Sequence, residues 1–144
     1  MSVKQISVFL ENKPGALFAM TTTLAKENID MRAFSLAETS EFGIARLIVD
    51  DPYRTVTALK EAGFVSSVTE VLGVAVSDTP GGLNDVLDAL REANVNVEYM
   101  YAFVGVKRAN SAYMIFRVTD NAKASAVLAA KGIALVSEEE IANL

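Results

Sequence analysis

Asn12-Lys13-Pro14-Gly15-Ala16-Leu17 returns as Asp78-Thr79-Pro80-Gly81-Gly82-Leu83 when the chain is shifted by 66 residues, and the same shift sets Leu24 on Leu90 and Asn28 on Asn94. Farther on, a shift of 69 sets Val49 on Val118, Asp51 on Asp120, Leu59 on Leu128 and Gly63 on Gly132, which a longer hairpin in the second copy explains. Turn and core positions that agree together are the mark of a duplication. It divides the 144 residues into two units, 1–71 and 72–144. A unit of that length buries little core by itself, so packing a sheet edge or face against its copy favours both.

Around the first turn the hydrophobic pattern changes period. Ile6, Val8 and Leu10 alternate with Ser7, Phe9 and Glu11, the period of a strand with one buried face. After the turn, Leu17, Met20 and Leu24 follow the spacing of one helix face up to Asn28. Met31 to Ala37 reads as a second strand, Thr39 to Gly43 as a polar connection and Ile44 to Val49 as a third strand. Val56, Leu59 and Ala62 line a helix that Gly63 stops, and Phe64 to Val71 closes the unit. The second unit repeats this order: strand Leu72 to Ser77, helix Leu83 to Ala93, strand Val97 to Val104, a hairpin through Lys107 to Ser111, strand Ala112 to Val118, helix Ala122 to Ala130 and strand Ile133 to Val136. A helical tail follows from Glu138 to Leu144. The expected fold class is α+β: two ferredoxin-like βαββαβ units, each an antiparallel sheet with helices on one face, packed side by side.

Composition removes several functions. The chain has no cysteine and no histidine, which excludes thiolate chemistry, Ser-His-Asp and Cys-His catalysis and most zinc or copper sites. No spacing of carboxylates, Lys and Tyr suggests a catalytic cluster, so neither an enzyme nor a bound cofactor nor a metal is expected. A net charge of −5 opposes a grip on phosphate backbones, and the aromatic motif of RNA-recognition sheets is missing, so nucleic acid is not an expected partner. No stretch approaches the roughly 20 apolar residues of a membrane span, and the N-terminus has no apolar signal core. The expectation is a cytoplasmic protein that does not touch a membrane.

The two turns carry the chemistry. Asn or Asp can accept from a nearby backbone N–H, Pro fixes φ, and Gly permits a left-handed backbone or close approach of a ligand. The helix that follows offers unpaired N–H groups to an anion such as an α-carboxylate. The same residues also suit a plain strand-to-helix turn, and Asp78 suits a helix cap as well as it suits a ligand. The turns, with Asn28-Ile29-Asp30-Met31 and Asn94-Val95-Asn96-Val97 after the first helix of each unit, resemble the start of an ACT domain, and the resemblance extends over nearly the whole chain. It implies a small-molecule sensor, usually for amino acids, with the ligand held at an interface between ACT units. It further implies that ligand contacts come from Asn12, Gly15, Ala16, Leu17, Asp78, Gly81, Gly82 and Leu83, with Asp30 and Asn96 beside those turns. Asn12 stands where the family commonly has an acid, so the two turns are chemically unequal. An ammonium suits Asp78 and either a donor or an acceptor suits Asn12, which together favour a zwitterion.

The expected function is therefore regulatory binding of a free amino acid or related metabolite. The alternative is a ligand-independent protein–protein interaction module, since sheet edges and helix faces make interfaces. A symmetric homodimer and a regulated enzyme are the partners either reading allows. Tyr99, Tyr101 and Phe103 alternate on one strand face and are read as core or interface packing. Lys107-Arg108 and Glu138-Glu139-Glu140 are read as solvated charges.

Overall fold

The computed structural model describes residues 1–105 and 110–144, so Lys107-Arg108 lies outside the described residues. In chain order the elements are β1 (Val3–Glu11), α1 (Ala16–Lys26), β2 (Met31–Glu38), β3 (Phe42–Val49), α2 (Pro52–Glu61), β4 (Val65–Ser77), α3 (Gly82–Glu92), β5 (Val97–Ala102), β6 (Ser111–Val118), α4 (Asn121–Ala130), β7 (Leu135–Val136) and α5 (Glu138–Ala142). The class is α+β, two βαββαβ units of antiparallel sheet and helices.

The sequence reading ends one strand at Val71 and starts another at Leu72, but the chain runs through that point without a break. Thr69 to Val74 contains no turn residue pair, and the alternation simply continues, so β4 is a single strand of 13 residues. Its first half, Val65–Val71, pairs with β1 and its second half, Leu72–Ser77, pairs with β6. The strand order is β2-β3-β1-β4-β6-β5, with β7 also pairing β4. The two ends of this order meet, because Ala33 bridges Phe103 and the Val104 N–H donates to the Arg32 carbonyl at 2.8 Å.

Around this junction the sheet is consequently buried on both faces. Outward-facing Ile6, Val8, Leu10 and Leu47 pack on Met20, Leu24 and Leu59 of α1 and α2. In the second unit Leu72, Val74 and Phe116 pack on Val86, Leu90 and Leu128 of α3 and α4. The opposite, inner face joins the units: Val3, Ala33, Ile48 and Val71 meet Tyr101, Tyr113, Ile115, Val136 and Ile141. Each such large apolar side chain gains about 1.5–3 kcal/mol from full burial, so the inner face supplies a share of stability that neither unit has alone.

One polar group sits within this inner layer. Gln5 is fully buried; its Nε2 donates to the Tyr99 hydroxyl at 2.8 Å and to Ser7 Oγ at 3.2 Å, and its Oε1 accepts from the Tyr101 hydroxyl at 2.7 Å. Arg46 from β3 lies over the Tyr99 ring, 3.8 Å from its centre. Tyr99, Tyr101 and Phe103 thus pack between the units, as their alternation suggests. The C-terminal end also crosses over: Arg32 Nε and Nη2 donate to the carbonyls of Ile141 and Ala142 at 3.1 Å each. Ser137 and Glu140 close a capping box at the start of α5.

Burial, reinforced by the neighbouring Tyr99, pushes the Tyr101 phenol above its ordinary pKa. Below pH ~10 the phenol is protonated in folded and unfolded chains alike. Above that value the unfolded chain releases the proton while the folded chain keeps it, so stability is expected to fall as pH rises. Replacing Tyr101 by Phe removes this dependence and leaves Gln5 Oε1 without its donor. The expected loss is about 1–3 kcal/mol at neutral pH, read from urea unfolding of the variant beside the wild type.

Candidate functional site

Each glycine turn is tied to the hairpin beside it. In the first, the Asn12 N–H donates to the Glu41 carbonyl at 2.8 Å and Asn12 Nδ2 donates to the Thr39 carbonyl at 2.9 Å. In the second, the Asp78 N–H donates to the Asn110 carbonyl at 2.8 Å, and the hydroxyls of Ser77 and Thr79 share a hydrogen bond of 2.9 Å. Gly15 and Gly81 both have φ +86°, a left-handed conformation that disfavours side chains. Gly82 is fixed by a different constraint, because a Cβ there would lie 1.9 Å from the Ser77 carbonyl oxygen. Ala16 occupies the matching place in the first turn, so the second turn is the tighter one.

The four main helices begin in two different ways. Asp51 caps α2 by accepting from the Arg54 N–H at 3.1 Å, and Asp120, its counterpart in the repeat, caps α4 by accepting from the Lys123 N–H at 3.0 Å. Helices α1 and α3 start from Gly15 and Gly81 with no side-chain cap, so Asp78 does not cap α3. In α1 the Ala16 N–H reaches the Lys13 carbonyl and the Ala19 N–H reaches the Gly15 carbonyl. Between them, the N–H groups of Leu17 and Phe18 have no acceptor among the described residues, and in α3 the same holds for Leu83 and Asn84. Such amides carry the positive end of the helix dipole and suit a small carboxylate. Next to the first turn, a hydrogen bond and the charge of Lys13, 2.8 Å away, hold the Glu11 carboxyl below its usual range.

The two turns are not neighbours. Phe9 pairs with Val65, which places the first turn at the start of β4, whereas the second turn follows Ser77 at its end. Thirteen residues of extended chain span on the order of 40 Å, so Asn12, Gly15, Ala16 and Leu17 do not share a site with Asp78, Gly81, Gly82 and Leu83 of the same chain.

Asp30 and Asn96 also lie elsewhere than beside their turns. β1 and β2 are each antiparallel to β3, hence parallel to one another, and α1 carries the chain about 16 Å back to the opposite end of the sheet. There the Asp30 N–H donates to Asp50 Oδ1 at 3.0 Å, the Asp50 N–H donates to the Asp30 carbonyl at 3.1 Å, and the Asp30 carboxylate pairs with Arg32. In the second unit the Asn96 N–H donates to Thr119 Oγ1 at 3.2 Å and the Thr119 N–H returns a bond to the Asn96 carbonyl at 3.1 Å. Both residues fasten the start of one strand to the end of its partner.

A feature the sequence reading passes over lies below the first turn. Leu17, Met20, Thr21, Phe34, Leu36 and Ala45 surround a cleft of about 280 Å³, completed by Met31, Ser35 and Leu47. Helical spacing alone assigns Leu17 to the packed face of α1, yet it stands 41% exposed at the rim. Among the described residues, no three His, Cys, Asp or Glu side chains are grouped to hold a metal, and no helix is long and apolar enough to cross a membrane.

The family model for an ACT domain pair matches residues 1–144. Among solved structures, protein BT0572 from Bacteroides thetaiotaomicron is 39% identical with a TM-score of 0.92, over 100% of this chain and 98% of that one. The regulatory subunit of aspartate kinase from Thermus thermophilus, in ligand-free form, shares the fold at 18% identity with a TM-score of 0.63, over 90% of each chain. The corresponding subunit from Thermus flavus does so at 16% identity with a TM-score of 0.58, over 89% of this chain and 92% of that one. No curated protein sequence matches the chain.

The two glycines of the second turn are expected to respond differently to a methyl group. Gly81→Ala meets open space and is charged only the left-handed backbone penalty, about 1–2 kcal/mol. Gly82→Ala forces the turn apart and is expected to cost more than Gly81→Ala, with thermal unfolding of the two variants as the comparison.

Proposed function

Because the chain belongs to the ACT domain pair family, we propose that it is a regulatory protein without catalytic activity of its own, which binds a free amino acid or a closely related metabolite at its glycine turns. The observation that carries this reading is the contrast in helix starts. The duplicated α2 and α4 each spend a first-turn amide on the cap Asp51 or Asp120, while the duplicated α1 and α3 leave that amide open behind a left-handed glycine. A carboxylate fits those amides. The Asp78 carboxylate suits an ammonium group at the second turn. At the first, Asn12 spends a donor on Thr39 and keeps Oδ1 as an acceptor.

Since the turns stand at opposite ends of β4, a ligand meets one turn or the other and not both, and a site formed between units calls for a second copy of the chain. Binding orders the turn and the hairpin attached to it, and so favours one arrangement of that surface over others. The regulated party is a separate protein, an enzyme in the first instance, met in the cytoplasm. The shared fold with a regulatory subunit of aspartate kinase supports an output of this kind.

The interaction-module reading has its own observation. On the inner face of the first unit, Val65, Phe9, Ile44 and Ala37 lie abreast on four paired strands, with Phe42 one row beyond. Phe9, Phe42 and Val65 are 48%, 57% and 67% exposed, an apolar surface suited to a protein partner.

Thermal denaturation against the twenty amino acids tests the first reading. A ligand present at 100 times its dissociation constant adds about 2.7 kcal/mol, or roughly 5–10 °C for a chain of this size. Gly15→Asp and Gly81→Asp, which put a carboxylate at one helix start or the other, are expected to abolish the shift at whichever turn binds. A flat response to every amino acid, with self-association or partner binding intact, favours the interaction module instead.

A further inference from the structure

The cleft below the first turn has a floor that is built in part of larger side chains at the matching place in the second unit. Its floor consists of Met20, Ala45 and Leu47, each at most 2% exposed, and its rim of Leu17, Phe34 and Leu36. In the repeat, Ala45 falls on Met114, Leu47 on Phe116 and Thr21 on Leu87. All three replacements are larger side chains, and all three pack into the second core, Phe116 at 1% exposure. Three other lining positions change the opposite way, Met20 to Val86, Met31 to Val97 and Leu36 to Ala102, so the two units differ in the shape of this region, and the opening of about 310 Å³ beside α3 is lined instead by Leu87, Leu90, Arg91, Asn94, Val95, Asn96 and Val97.

The hollow lies beside the open start of α1. Leu17 lines the cleft with its side chain and offers one of the two open amides of α1 with its backbone, Phe18 offering the other. No acidic residue stands in the first turn of α1, whereas Asp85 stands in the first turn of α3 and opposes a second negative charge there. No lining residue of the cleft is charged. Its volume of about 280 Å³ lies at the small end of ligand sites, which begin near 300 Å³, and so admits one side chain and not a nucleotide. Met20 and Met31 in the wall are unbranched and adjust to different apolar shapes.

We propose that the first unit is the binding unit and that its cleft takes the side chain of an apolar amino acid of leucine, isoleucine, methionine or phenylalanine size, with the α-carboxylate on the Leu17 and Phe18 amides. This deepens, and rests on, the regulatory reading above by naming the unit and the ligand class. The second turn, tight at Gly82 and backed by the larger Met114 and Phe116, serves the fold.

Isothermal titration of the full chain with leucine, isoleucine, methionine and phenylalanine, beside aspartate, lysine and serine, tests the proposal on the wild type and on Ala45→Met. That substitution installs the residue the second unit already houses. The expected result is binding of one or more of the apolar set and a loss of affinity of about tenfold or more in Ala45→Met, in line with overpacking a formed space. Thr21→Leu narrows the cleft from the helix side and is expected to act in the same direction, which keeps the test open should Ala45→Met fold poorly. Binding confined to polar or charged amino acids, or apolar binding untouched by both variants, overturns the cleft while leaving amino-acid regulation in place. Binding of none of these, together with a flat response in the twenty-amino-acid melting series, overturns both.

Discussion

Gln5 places a primary amide in a layer closed to water, between two sheets, and everything else in the molecule is consistent with keeping it satisfied. Its two donors and its acceptor reach Ser7, Tyr99 and Tyr101, so a residue of the first strand is answered by two residues more than ninety positions away. A buried amide left without partners costs roughly 1–3 kcal/mol for each lost bond, whereas apolar packing tolerates small slips. The tyrosines therefore fix how the units lie on one another, and the apolar contacts of Val3, Ile48 and Val71 with Tyr113, Ile115 and Ile141 supply most of the attraction. Arg32 adds a second tie, holding the last helix of the second unit against the first.

The continuity of β4 has a large effect on the binding surfaces. One strand serves as the last of the first unit and the first of the second, so the glycine turn of each unit is thrown to a different end. Duplication doubles the turns without bringing them together. It also frees the two copies to diverge, since a change in one does not have to be matched across a shared pocket. The tight Gly82, the larger Met114 and Phe116 and the acidic first turn of α3 all lie in one copy, and the apolar cleft beside an acid-free helix start lies in the other.

A good part of the fold was legible in the residues. The alternation of Ile6, Val8 and Leu10, the helical spacing of Met20 and Leu24, and the stop at Gly63, whose φ is +86°, reflect local geometry that a short stretch of chain imposes. The repeat conveyed the rest of the element order, and the tail helix was read separately, from Glu138 onward, where Ser137 and Glu140 form its cap. The candidate site was less legible. Asp30 and Asn96 follow the turn motif closely in sequence, yet a helix stands between, and a helix of eleven residues is a displacement across the whole sheet. The cleft escaped notice because a hollow is the absence of atoms, visible only when Ala45 can be compared in space with Met114.

What the sequence by itself determined is thus everything that depends on neighbours within a few residues or on the comparison of one copy with the other: strands, helices, turns and the two-unit plan. Only the tertiary structure decided that polar Gln5 and Ser7, which by alternation belong to the face turned away from the helices, are buried and not solvated, and that the two turns are held apart. The physical reason is the same in both cases. Alternation tells which residues share a face of a strand, but what covers that face depends on how the sheet bends, and here β4 carries it round until the second unit covers the first.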